Sequence, residues 1–255
     1  MRKKSFEIAI VAMFVALIAV LQVSPLYIPT SWGMRIDLVA VPVLIAYFLF
    51  GLRTSLAVSV GMFVALSFVA AESLIGASAK WIATTPMIIT PALMSLRLQR
   101  KEWRKDIGIV VGALVTMVAL VALIGVMYEF TGASDHKIVS PFIVLLASVA
   151  FYGAFYVVSR GQEGAGTQYF RDPRKVAVAL VLAIIVRGIT TTVINYYFTF
   201  PVFFDIPTAA ALEWVPWYVM FALNAVQGVV DVAVAWLLVF RTKTFSYVQK
   251  AFIPS

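Results

Sequence analysis

One feature constrains this chain more than any other: long apolar runs, each nearly free of charge, separated by short basic clusters. Eight can be drawn, over 6–23, 37–52, 54–71, 76–96, 107–128, 138–159, 176–200 and 214–240. A helix rises about 1.5 Å per residue and the hydrocarbon core of a bilayer is about 30 Å thick, so roughly 20 apolar residues make a span. Composition agrees, with 62% apolar and 13% charged residues, against roughly 45–50% and 25% in soluble domains. The expectation is an all-α, polytopic helical membrane protein with eight transmembrane helices, forming a single transmembrane domain over 1–255. The second run is short, and only Arg53 separates it from the third. A tight hairpin there is preferred to one long helix broken at Gly51. The first run follows Arg2, Lys3 and Lys4 without a small-residue cleavage site after it, so it reads as a retained span.

The basic residues give an independent test of the count. With the N-terminus inside, 16 of the 20 fall in inside segments, among them Arg53, the 97–105 cluster, Arg171, Arg174, Lys175, Arg241 and Lys250. Arg35, Lys80 and Lys137 fall outside, and Arg187 lies within a span. That bias follows the positive-inside rule and places both termini in the cytoplasm of a multi-pass cell-membrane protein. The net charge of +8 is thereby accounted for by topology, and nucleic acid is not expected as a partner. There is no cysteine, and His136 is the single histidine. Disulfides, thiolate chemistry and a His-rich metal site are excluded, and no cofactor is expected. No phosphate-binding loop and no complete catalytic dyad or triad is visible.

Polar groups inside spans are costly unless they face a cavity or a partner, so they are the candidate functional positions. Asp37 suits either a helix cap or a ligand contact. Lys80 either snorkels to the surface or faces a cavity beside Pro86. In the seventh run Arg187, Thr191 and Asn195 recur every four residues and share a face. Asn195 offers both a donor and an acceptor to a planar ring. Arg187 needs an acidic partner, and Asp231 is a possible one, as a structural pair. In the eighth run Asn224, Gln227 and Asp231 form one polar stripe. Ligand contact is favoured for the first two and helix–helix hydrogen bonding for Asp231. The stretch 24–36 carries Tyr27, Trp32 and Met34 and is stiffened by Pro25 and Pro29. The stretch 201–213 holds Phe203. These aromatics suit either a lid or an interfacial anchor. Ala9, Ala12, Ala16 and Ala19 make a small-residue stripe that lets another helix approach closely.

Four stretches resemble one family. They are the alanine stripe; Arg35-Ile-Asp through Val-Pro42 to Phe-Gly51; Val193-Ile-Asn-Tyr-Tyr-Phe through Phe204; and Pro216 to Trp236 with Phe221-Ala-Leu-Asn-Ala-Val-Gln-Gly228. Together they resemble the S component, the substrate-binding membrane subunit of an energy-coupling factor (ECF) vitamin transporter, and most of all the riboflavin-specific group. Val39-Ala40 stands where that group has Ser-Asp, and Gln227 where it has lysine. A glutamine still hydrogen-bonds a flavin carbonyl or hydroxyl but supplies no charge. The resemblance implies a six-helix core, to which 107–159 adds an inserted two-helix hairpin. It implies uptake of a vitamin, riboflavin first, without chemical change. Asp37, Lys80, Asn195, Asn224 and Gln227 become substrate-binding candidates, Tyr27, Trp32, Met34 and Phe203 lid candidates, and the alanine stripe the face toward a transmembrane coupling subunit. Two cytoplasmic ATPase subunits would supply the energy as the loaded subunit topples. The alternatives are an S component for another vitamin or heterocycle, a membrane enzyme acting on lipids, and a structural membrane protein.

Overall fold

The computed structural model describes residues 2–32, 34–69, 73–97, 153, 167–242 and 244–252. The proposed hairpin 107–159 lies outside the described residues, apart from the single position Gly153. The described chain is all-α except for one small ribbon. Its helices are α1 (Arg2–Val23), α2 (Val41–Phe50), α3 (Leu52–Val69), α4 (Ser73–Arg97), α5 (Pro173–Ile194), α6 (Thr208–Trp214), α7 (Trp217–Trp236) and α8 (Thr244–Phe252). Between α1 and α2, β1 (Tyr27–Pro29) pairs antiparallel with β2 (Arg35–Asp37), with Tyr27 opposite Asp37. A widened, π-helical stretch, Asn195–Phe204, continues α5 and contains Pro201.

Among the described residues, four helical stretches are long and apolar enough to cross a membrane: Ser5–Val23, Leu52–Val69, Pro173–Pro201 and Trp217–Arg241. The chain therefore has the architecture of a multi-pass membrane protein. α2 has 10 residues, about 15 Å, and is too short to span by itself. α4 has 25 residues but is not among the four apolar enough.

The helices pack as a ring. α3 lies on α4, α4 on α5, α5 on α7, α7 on α2, and α2 back on α3, while α1 covers α3 and α2 from outside. The centre is filled by large apolar side chains such as Leu44, Phe48, Leu56, Met62, Trp81 and Ile88. Two of its polar side chains show how protein partners replace water in such an interior. Trp81 Nε1 donates to Ser59 Oγ at 2.9 Å while its ring stacks on Phe63. Ser55 Oγ donates to the Val43 carbonyl at 3.0 Å, joining α2 to α3.

The α2–α3 connection is a tight hairpin, as expected, and it turns at Gly51. That residue has φ 86° and ψ −174°, a conformation open in practice only to glycine. Gly188 serves a different need. A Cβ there would sit 2.2 Å from Phe221, so the missing side chain lets α5 and α7 approach.

Candidate functional site

One end of the ring opens into a cavity of about 220 Å³. Its walls are β2, the ribbon turn, α4, α5 with its widened continuation, and α7. On α4 the wall is made of small side chains. Gly76, Ala79 and Ala83, with Lys80 between them, recur on one helical face and leave the room that larger residues would fill. Opposite them, the widened turn brings Asn195, Thr199, Phe200 and Phe204 to the cavity. Such turns often occur at functional sites because they re-aim side chains that a regular helix would scatter.

The cavity gathers all five substrate-binding candidates, Asp37, Lys80, Asn195, Asn224 and Gln227, from four separate elements. Lys80 donates to Asp37 Oδ2 in an ion pair, so it faces the cavity instead of running out to the surface. Asp37 is not the cap of α2, which starts four residues later after Ala40. Its Oδ1 accepts the Val39 amide at 3.0 Å and closes the turn before that helix.

Gln227 is bound to protein on every hydrogen. Its Oε1 accepts the Asp37 amide at 3.0 Å, and Nε2 donates to the Asp37 carbonyl and to Asp231 Oδ1, each at 2.7 Å. Gln227 borders the cavity, while its Oε1 and one N–H clamp the backbone of β2 to α7 and the other N–H stays within α7 on Asp231. Asp231 is fully buried and accepts from Arg187 Nη1 at 3.2 Å, which is the structural pair the sequence suggested. A continuous chain of polar contacts thus runs Lys80–Asp37–Gln227–Asp231–Arg187 and ties α4, β2, α7 and α5 together.

The two asparagines share a different arrangement. Asn195 Nδ2 donates to the Thr191 carbonyl at 2.8 Å, and Asn224 Nδ2 to the Met220 carbonyl at 2.9 Å. Those partners only accept, so they fix each amide with its nitrogen toward the helix backbone. The carbonyl oxygens are left without a hydrogen-bond partner among the described residues, and both residues line the cavity.

Of the lid candidates, Trp32 and Met34 line the cavity and pack on a small apolar cluster of Tyr196, Phe200, Ala211, Val215 and Met220. Phe204 also lines it, with its ring against Phe200 and Trp214. Tyr27 does not line the cavity. It is exposed on β1, with the Arg35 guanidinium 5.2 Å from its ring. Phe203 lies on the widened turn, and its side chain is outside the described residues. The Tyr196 hydroxyl donates to the Val215 carbonyl and Thr208 Oγ1 to the Tyr196 carbonyl at 3.1 Å, which fastens α6 over the turn.

Sequence reasoning passed over Thr199, Met220 and the Gly76–Ala79–Ala83 wall. The wall had a legible signal, small residues at helical spacing around Lys80. Met220 lies one turn before Asn224 on the same stripe. On α1, Ala9, Ala12 and Ala16 are exposed and Ala19 is half-buried, while Ile10, Phe14 and Ile18 of the same helix face inward. No family model matches the chain, and neither a curated protein nor a solved structure matches it.

Proposed function

We propose that this chain is a membrane-embedded binding subunit for a small planar vitamin, working as the S component of an ECF-type uptake system. The observation that carries the reading is the single cavity in which Asp37, Lys80, Asn195, Asn224 and Gln227 meet, although up to 190 positions separate them. The cavity has what ligand sites usually have, mostly apolar walls with a few aimed polar groups. With the N-terminus inside, as the basic residues favour, the ribbon end faces out. Trp32 and Met34 then stand over the entrance as a lid. The exposed alanines of α1 suit close packing against a coupling subunit. The energy comes from two cytoplasmic ATPases, because the chain has no phosphate-binding loop of its own. In this reading the chain binds and releases its ligand unchanged and is not an enzyme.

Riboflavin is the first candidate, and the cavity gives a reason to test smaller heterocycles with it. Its volume of about 220 Å³ lies below the roughly 300–1,000 Å³ of pockets for drug-sized ligands. The test is equilibrium binding by the purified full chain to riboflavin, thiamine, biotin and other vitamins, with flavin absorbance of the preparation as a first sign. Micromolar or tighter binding of one vitamin is expected. Failure of every vitamin at that level removes the function. Binding of a vitamin other than riboflavin corrects only the substrate. Asn195→Ala is expected to fold and to lose about tenfold in affinity or more, the effect of one hydrogen bond in a dry site. Full affinity in that variant ends the ligand role of Asn195.

A further inference from the structure

The sequence reads Arg187 as a purely structural partner of Asp231. The structure leaves most of that side chain unaccounted for. A guanidinium has five N–H groups, and Arg187 donates only one hydrogen bond among the described residues, from Nη1 to Asp231. Its Nε is buried without a partner. The residue is 4% exposed and lines the cavity. An unsatisfied donor at such a depth is unfavourable, and the guanidinium that carries it belongs to a residue lining a space that a ligand can enter.

The charges around it limit what that ligand can be. Arg187 is neutralised by Asp231, and Lys80 by Asp37. Gln227 donates to the Asp37 backbone carbonyl and to the Asp231 carboxylate, which keeps the two acids close together. A ligand carboxylate placed against Arg187 would lie near Asp231 and Asp37 as well, where like charges repel. A carbonyl oxygen accepts from the guanidinium without that penalty. Higher in the cavity the polarity is reversed, because Asn195 and Asn224 present oxygens.

We infer that Arg187 is a specificity-determining residue that donates to a neutral carbonyl oxygen at the leading end of the ligand. The ligand class is a planar, uncharged heterocycle with a ring carbonyl at one end and N–H groups facing the asparagine oxygens. This deepens the vitamin-binding reading and rests on it.

Three bicyclic probes test it on the full chain by equilibrium dialysis. Lumazine is neutral with ring carbonyls, quinoxaline is of similar size without oxygen, and quinoxaline-2-carboxylate is an anion. Lumazine is expected to bind at least about tenfold tighter than either of the others, the size of one buried hydrogen bond. Two variants locate the effect. Arg187→Lys keeps the charge beside Asp231 but loses the planar fork. The double variant Arg187→Met with Asp231→Asn removes both charges together, so neither remains unpaired. In each, the preference for lumazine over quinoxaline is expected to fall to within about twofold.

Equal binding of lumazine and quinoxaline by the unmodified chain overturns the inference and needs no variant. So does tightest binding of the carboxylate, or a preference for lumazine that survives in the double variant. If a vitamin from the wider panel binds while lumazine does not, the carbonyl assignment is wrong and the binding function stands. If no vitamin and no probe binds, both readings fall together.

Discussion

Gln227 has most of its effect through Asp37. Its amide accepts from the Asp37 N–H and donates to the Asp37 carbonyl, so one side chain holds the last residue of β2 against α7. Gln227→Leu is expected to lower stability by about 2 kcal/mol or more, because it leaves buried backbone groups without partners. The check is thermal unfolding in detergent, and an unchanged midpoint contradicts the clamp. Asp231 calls for a different comparison. Asp231→Leu alone strands the Arg187 charge in the interior and should destabilise by about 3–5 kcal/mol. Adding Arg187→Met should recover most of that loss, since an apolar pair replaces a buried ion pair without leaving a charge behind. A double variant as unstable as the single one shows that the cost lies in packing and not in charge. The pairing itself was legible in the sequence, because a buried arginine needs an acid and few acids lie in the runs. The engagement of Gln227 was not, since its partner is a backbone segment 190 positions away.

At the scale of elements, the short α2 and the hairpin after it decide where β2 lies. α2 has 10 residues, turns at Gly51 and packs against both α3 and α7. Arg53, just past the turn, pairs with Glu7 of α1 at 3.5 Å, which brings the starts of α1 and α3 together. Gly51→Ala is expected to cost about 1–3 kcal/mol, because any Cβ is strained at that backbone conformation. Chemical unfolding of the purified protein measures it, and a cost near zero means that the turn relaxes freely. The six apolar runs that fall on described residues each coincide with a helix to within a few residues, since long periodic segments are what hydropathy reads best. Two features escaped that reading. The ribbon is one, because three residues per strand leave no pattern of alternation. The widened turn after Ile194 was also missed, although Pro201 marks where a regular hydrogen-bond ladder breaks.

The described residues form a closed ring of helices with a polar cavity at one end, and Arg53, Arg171, Arg174, Lys175 and Arg241 lie toward the other. If the N-terminus is inside, the cavity opens outward. The absence of cysteine makes this direct to test. Ile28 on the ribbon and Tyr247 on α8 are 65% and 70% exposed. A membrane-impermeant maleimide should label Ile28→Cys in intact cells and Tyr247→Cys only after permeabilisation. The reverse pattern inverts the topology and, with it, the direction of uptake.

Apolar periodicity and the positions of charge were enough to indicate a multi-pass membrane architecture, the approximate helix limits and a set of polar residues placed at a cost within the apolar runs. Those properties are local, because they depend on how each segment partitions between water and lipid. Which polar groups face one another is not local. Tertiary packing alone decided that Lys80 meets Asp37 and that Gln227 is held by protein. It also decided that Asn195 and Asn224 keep free oxygens over the cavity and that Arg187 has donors to offer beyond Asp231. Hydrogen-bond partners depend on distances of a few tenths of an ångström between segments far apart in the chain, and no pattern along a single segment carries that information.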